Sequence, residues 1–365
     1  MQLRYNFRVY PTPGQRTALA RSFGSARVVW NDGLRMREEA HKAGEKYPSD
    51  AALSKLLITD AKKTPERAWL AEASAVVLQQ SLADLSTAYR RFFDWAKAAK
   101  AAKAEGRKPP RRVGSPRFKK RKAAQSIRFT ANSRFKLLDN GRLRLPKIGD
   151  LEVRWSRDLP SAPTSVTLAL DAAGRYFASF VVQTGDDETL PVSDNEIGID
   201  LGLTHFAVMS DGTKIAAPKF LRRAAKKIRR KAREFSRKQK GSKNRAKAKV
   251  ALAKQHAKVR DTRNDWLHKL STSVIRDNQA VYVENLSIAG LSRGRLAKSV
   301  NDASWGGFLT MLEYKAARYG RTFGKVDRWF PSTRMCHVCA RVGDKLDLSV
   351  RSWTCPCGAV HDRDH

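Results

Sequence analysis

The sequence is short of cysteine and of acid, and it has no long apolar run. Its four cysteines are too few to staple 365 residues as a disulfide scaffold. All four fall between Cys336 and Cys357, which points to a metal site in a reducing compartment. No stretch reaches the roughly 18 apolar residues of a membrane span, so none is expected. The first residues, MQLRYNFRVYP, alternate like a strand and lack the apolar centre of a signal peptide. Acidic residues number 35 against 72 Lys and Arg, a formal charge of +37 with a pI of about 10.6. Hydrophobic residues make up 41%, enough for packed cores, so the chain is not a disordered basic tail. A compact chain with this charge repels itself unless a polyanion neutralises it. Nucleic acid is the leading partner on that ground, with an anionic membrane surface as the rival. The length suggests two or three domains.

Leu3, Tyr5, Phe7 and Val9 alternate with Arg4, Asn6 and Arg8, which predicts a half-buried strand. Pro11 to Gly14 end it, and helical spacing follows over about 14–43 and again over about 66–104. Between 97 and 122 stand twelve Lys or Arg and one acid. Strand signals then resume. The Asp139-Asn140-Gly141 turn and the Asp171–Gly174 turn predict two hairpins. Residues 1–10 and 125–184 thus form a β module interrupted by helices, and the acidic loop 185–194 suggests a domain boundary. From 196 the pattern becomes α/β. It predicts a strand, an Asp-Gly turn and a strand, then a helical pair over 218–260 with nineteen Lys or Arg and only Glu234 as acid. A separate helix over 263–278, a strand over 280–286, a helix over 304–320 and a strand over 322–328 complete the reading.

Three carboxylate motifs stand out: Asp200 in GIDLG (198–202), Glu284 in VYVENL (281–286), and HDRD (361–364). Each alone has an ordinary reading. Asp200 can be satisfied by backbone N–H groups, Glu284 by a basic helix, and HDRD can be an acidic loop. Together, three carboxylates from separate elements can hold two Mg²⁺ ions about 3.5–4 Å apart for phosphodiester hydrolysis. Hard oxygen ligands suit Mg²⁺ or Mn²⁺. Cys336 and Cys339, with Cys355 and Cys357, resemble the two thiolate pairs of a zinc ribbon. The second pair is C-x-C rather than C-x-x-C, so His337 or His361 stand as substitute ligands, and loss of the metal is the other alternative. Such a Zn²⁺ would be structural.

The basic runs are read as nucleic-acid contacts rather than solvated helix faces, because nineteen bases face one acid. Arg117, Lys119, Lys120 and Arg121 represent the first run, and Arg222, Arg223, Lys226, Lys227, Arg229 and Arg230 the second. Gln79 and Gln80 can pair with adenine edges or simply face solvent. Phe92, Phe93, Trp95, Trp305 and Tyr314 can stack on bases, but their helical spacing favours a core role.

These motifs occur in an order that resembles the TnpB family of transposon-encoded RuvC-like nucleases, relatives of type V CRISPR effectors. RVYPTPGQ (8–15), GSARVVWN (24–31), LQQSL (78–82), SPRFKKR (115–121), HKLST (268–272), SWGGFLTMLEYKA (304–316) and FPSTRMC (330–336) extend the likeness along nearly the whole chain. The resemblance implies a multidomain α/β protein. A β-barrel-like wedge (1–13 and 116–190) would carry a helical recognition lobe (14–115). An RNase H-like (RuvC) nuclease domain (191–330 and 358–365) would hold an inserted zinc ribbon (331–357) that binds target nucleic acid. It implies Asp200, Glu284 and Asp364 as the catalytic Mg²⁺ ligands, with the second Asp of DRD as the ligand. It implies a guide RNA from the transposon end, double-stranded target DNA beside a short transposon-adjacent motif, and sequential cutting by one centre. The expected setting is prokaryotic, cytoplasmic and nucleoid-associated, without membrane contact, and one protein per RNA with a dimer left open. The family continues past DRD with an Asn-Ala-Ala-rich helix, whereas His365 ends this sequence, so Asp364 is expected at a loose end. A guided DNA-binding regulator without cleavage is the alternative. An unguided DNA-binding protein or transposase ranks last.

Overall fold

The computed structural model describes residues 1–121, 124–185, 189–327, 330–331, 334–344, 347, 350 and 352–362. The chain divides into two compact units, Met1–Thr184 and Gly185–His365.

In the first unit, β1 (Gln2–Tyr10) buries Tyr5, Phe7 and Val9 as the alternation predicts. α1 (Pro13–Lys42) begins with a reciprocal capping box. The Thr12 hydroxyl accepts from the Gln15 N–H, and Gln15 Oε1 accepts from the Thr12 N–H. α2 (Asp50–Ser54) runs into a π turn at Lys55–Asp60. The second long helix, α3 (Ala75–Ala104), begins later than the pattern suggests. Ser74 is extended ahead of it, and Ala68–Glu72 form a separate 3₁₀ turn that buries Leu70.

β2 (Gln125–Thr130), β3 (Lys136–Leu137), β4 (Leu143–Leu145), β5 (Gly149–Arg154), β6 (Ser165–Leu170) and β7 (Tyr176–Gln183) follow. The sheet order is β2-β6-β7-β1-β5-β4-β3, and every neighbouring pair is antiparallel. Both hairpin turns form where the sequence places them. Gly141 has φ +74° and Gly174 has φ +76°, while Asp171 Oδ1 accepts from the Ala173 and Arg175 N–H groups. The core joins the inner sheet face to Leu19, Phe23 and Val77 of the two long helices.

In the second unit, β8 (Glu196–Asp200), β9 (His205–Met209) and β10 (Lys214–Ala216) form three strands where the pattern predicts two. The Asp211-Gly212 turn joins the last two, and 201–204 close a turn that the apolar run conceals. α4 (Phe220–Ser236) and α5 (Lys243–Asp277) follow. α5 is one 35-residue helix, where the pattern predicts a break near 260. Nothing stops it, because no Gly or Pro occurs between 243 and 277. β11 (Ala280–Glu284), α6 (Ile288–Leu291), α7 (Ala297–Ala303), α8 (Trp305–Tyr319) and β12 (Thr322–Val326) complete the layer.

This sheet has the order β10-β9-β8-β11-β12. β9 runs antiparallel to its neighbours, whereas β8, β11 and β12 are parallel. α5 and α8 cover one face, packing Leu267, Ile275, Phe308 and Leu312 onto Ile197, Ile199, Val281 and Val283. Between those helices Lys315 is buried and donates to His268 O, Ser271 Oγ and Thr272 Oγ1, each at 2.7 Å. Burial lowers its pKa to about 8. The HKLST stretch is thus the acceptor set for one buried lysine. Among the described residues, no helix is long and apolar enough to cross a membrane.

Candidate functional site

Parallel register brings two of the three predicted carboxylates together. Ala280 pairs with Glu196, and the ladder runs to Val283 beside Ile199. The next step sets Glu284 beside Asp200, both at the carboxyl ends of their strands. Side chains alternate along strands, so these two point away from the face that α5 and α8 cover. Asp200 is exposed and Glu284 half-buried. Two carboxylates at neighbouring strand ends offer the hard oxygen donors that a divalent cation such as Mg²⁺ takes. Asp364 lies outside the described residues. Asp362 ends β14 (Val360–Asp362), which pairs with β13 (Ser352–Thr354).

The two glycines flanking Asp200 differ. A Cβ on Gly202 would stand 3.0 Å from the His205 carbonyl oxygen, inside the turn whose Gly202 N–H donates to Phe206 O. A Cβ on Gly198 would meet only the Ser210 side chain, at 3.5 Å. Gly202→Ala is therefore expected to lower stability by about 1–3 kcal/mol, and Gly198→Ala by clearly less. Thermal unfolding of the two variants checks this, and equal losses would contradict it.

Past that turn lies a cavity of about 260 Å³ between Gly202–Thr204, Lys219, Arg222 and Asp302. The buried Asp302 carboxylate accepts from the Leu221 and Arg222 N–H groups and so caps α4. Sequence reasoning missed this cap, because Asp302 lies 81 and 80 residues from the two N–H groups it serves.

α4 carries the predicted basic face. Arg222, Arg223, Lys226, Lys227, Arg229 and Arg230 are all exposed, while Ala224, Ile228, Ala232 and Phe235 form a half-buried stripe at helical spacing. α4 packs along α5. Arg245 of α5 closes the bend by donating to the Phe235 and Lys238 carbonyls at the end of α4. Arg222 also donates to Ser299 Oγ, and Arg230 lies 3.9 Å from Glu234.

The other predicted contacts belong to the first unit. Gln79 is exposed and Gln80 half-buried in the second turn of α3. Arg117, Lys120 and Arg121 are exposed, but Lys119 lies 3.7 Å from the centroid of the Trp30 ring. Burial lowers the Lys119 pKa, with Asp84 opposing the shift. Of the aromatic candidates, Trp305 is core, whereas Phe93 is exposed beside Tyr89 and Phe92.

The four cysteines converge. Their sulfurs all lie within 4.8 Å of one another, with Cys336–Cys357 and Cys339–Cys355 each at 3.6 Å. Tetrahedral Zn²⁺ with Zn–S bonds of about 2.3 Å needs sulfurs about 3.8 Å apart, so the set fits. The C-x-C pair reaches this geometry through a tight turn. The Gly358 N–H donates to Cys355 O, and Gly358 has φ +89°. Cys336 and Cys355 are buried, Cys339 and Cys357 exposed. Burial would raise the Cys336 thiol pKa, but the N–H groups of Cys339 and Val338 and the neighbouring thiols draw it down to about 5. Cys355 is pushed up to about 12: the Cys357 N–H lowers it, but burial and the other three cysteines prevail. His361 is buried beside the quartet, with Nε2 3.2 Å from Cys336 Sγ and Nδ1 3.1 Å from His337 Nδ1.

The chain matches three family models: one described as a helix-turn-helix domain over 1–46, one as a probable transposase of the IS605 OrfB type over 179–295, and one as a Cas12f1-like TNB domain over 305–365. Residues 2–42 are a strand and one long helix here, not a helix-turn-helix. A protein of Streptomyces pristinaespiralis named "Putative RNA-guided DNA endonuclease" is 42% identical over 99% of this chain and 86% of its own length. The similarly named InsQ of Escherichia coli K12 is 29% identical over 96% of this chain and 86% of its own length. The cryo-EM structure of a Cas12f1–sgRNA–target DNA complex superposes with a TM-score of 0.53 at 12% identity, over 94% of this chain and 80% of that one. With a relative 42% identical over 99% of this chain, and with its motifs in the family's order, the chain belongs to the TnpB family.

Proposed function

We propose that this chain is an RNA-guided DNA endonuclease, in which a transposon-derived guide RNA selects the target and the second unit cuts it beside a short adjacent motif. The observation that carries this reading is that Asp200 and Glu284 stand at neighbouring strand ends, one residue past the last β8–β11 pair, in a chain whose relatives are named as such enzymes. The sheet supports an RNase H-like reading, with three antiparallel strands followed by two parallel ones. In this assignment residues 191–330 and 358–365 are the nuclease and 331–357 the target-binding zinc insert. Residues 1–13 and 116–190 are the wedge, and 14–115 the recognition lobe.

Asp200 and Glu284, joined by Asp364, would hold Mg²⁺ or Mn²⁺. Such ions activate water and stabilise the leaving oxygen of a phosphodiester. The chain's own residues do the rest. The Gly202 turn fixes the strand end that presents Asp200. Exposed bases on α4 draw in the phosphate backbone, offsetting the repulsion of the carboxylates. Gln79 and Gln80 offer amides to base edges. The four cysteines hold Zn²⁺ as a fold element. A guide–target duplex is gripped through its backbone while pairing reads the sequence, a division of labour that suits charge spread over several surfaces.

Sequencing the RNA that co-purifies after expression with native flanking DNA tests the guided half. One abundant species with a fixed scaffold and a 3′ tail matching flanking DNA is expected. A smear of cellular RNA would contradict guided recognition and favour unguided polyanion binding.

A further inference from the structure

The linker after α3 has no regular secondary structure over 107–120, yet side chains of the two long helices pin it. The Trp95 indole N–H donates to Pro110 O, and the Trp30 indole N–H donates to Arg117 O. Asn31 grips both sides of one residue: its Nδ2 donates to Lys119 O at 3.1 Å, and its Oδ1 accepts from Lys119 N at 2.8 Å. The Lys119 side chain then lies over Trp30. These contacts give the GSARVVWN stretch a task that its sequence did not disclose. Its Trp and Asn hold a strap.

A strap fixed at residues 117 and 119 displays what lies around and between them. Phe118 is 45% exposed, although a large aromatic gains by burial. Arg117, Lys120 and Arg121 are exposed around it, and among the described residues none of the three forms an ion pair. An exposed aromatic with cations beside it in the sequence, on a backbone held by hydrogen bonds at Arg117 and Lys119, is the arrangement that stacks a base and holds its neighbouring phosphates. We infer that Phe118 is a base-stacking residue, that Arg117, Lys120 and Arg121 hold the flanking phosphates, and that Trp30 and Asn31 position the strap. The ligand chemistry is an unpaired or terminal base of a nucleic-acid strand, in either guide RNA or target DNA. This inference rests on the nucleic-acid reading above and adds a contact outside the predicted set. It also moves Lys119 from that set to the anchor.

The test uses the full chain with 12-nucleotide single strands carrying 2-aminopurine, as RNA and as DNA in separate arms. Stacking on Phe118 predicts quenched fluorescence on binding. Phe118→Ala should lose part of that quenching and bind roughly 5- to 100-fold more weakly, whereas Phe118→Trp should restore both. Lys120→Ala should reduce the salt slope of binding by about one while leaving the quenching. Asn31→Ala should weaken quenching as Phe118→Ala does, with Phe118 still present. Loss confined to the RNA arm assigns the base to the guide, and loss confined to the DNA arm assigns it to the target. Wild-type affinity and quenching for Phe118→Ala in both arms would overturn the inference and leave the nuclease reading intact. If the wild-type protein bound neither strand, the nucleic-acid reading itself would fall.

Discussion

Replacing Asp200 by Ala is expected to reduce Mg²⁺-dependent cleavage of a guided target by at least about a thousandfold, equivalent to about 4 kcal/mol of lost transition-state stabilisation. Guide and target binding should change less than about threefold, because Asp200 adds only one carboxylate to a chain of charge +37. Single-turnover cleavage and filter binding on the same preparation separate the two effects. A variant that cuts at the wild-type rate would remove Asp200 from the site. A variant that no longer binds would make the residue part of the nucleic-acid interface instead.

Cys336→Ser should have the other large effect, and it should act through folding. Its sulfur is buried, lies 3.6 Å from Cys357 Sγ, accepts from the Cys339 N–H and faces His361 Nε2 at 3.2 Å. Structural zinc contributes on the order of 10–16 kcal/mol of apparent binding energy in small zinc domains at pH 7. Losing one buried thiolate should therefore drop the zinc content from about one per chain to near zero after chelator dialysis. Amide exchange should rise through 334–344 and 352–362, while β1 to β7 keep their protection. Zinc retention should also fall as pH falls, because every thiolate ligand must be deprotonated to bind. Elemental analysis and hydrogen exchange check this. Full zinc retention by the Ser variant would mean that His361 takes the fourth position. Asp200→Ala should keep its zinc, so the two variants fail in distinguishable ways.

What the sequence disclosed and what it hid follow from how far each signal reaches. The hairpins at Asp139–Gly141 and Asp171–Gly174 were legible because their turn residues and flanking alternation are local. The carboxylates were legible as polar residues closing apolar strands, but their adjacency needed the parallel register of β8 and β11. The turn at 201–204 was hidden because Ile197 to Met209 is apolar on both sides of it, leaving no alternation to break. The unbroken run of α5 was hidden because a polar stretch imitates a boundary that only Gly or Pro would enforce. The strap anchors were beyond local reading, since Asn31 and Lys119 are 88 residues apart. The C-x-C spacing suggested a departure from the usual knuckle, yet a turn at Gly358 brings its sulfurs into the quartet.

The most direct test of guided cleavage incubates the purified protein and its co-purified RNA with two duplexes. One matches the RNA tail beside the flanking motif, and the other carries the same motif with a scrambled match. Guided cleavage predicts cutting of the matched duplex alone, dependent on Mg²⁺, stopped by EDTA and lost with Asp200→Ala. Equal cleavage of both duplexes, or stable binding of the matched duplex without any cleavage in Mg²⁺ or Mn²⁺, would contradict it.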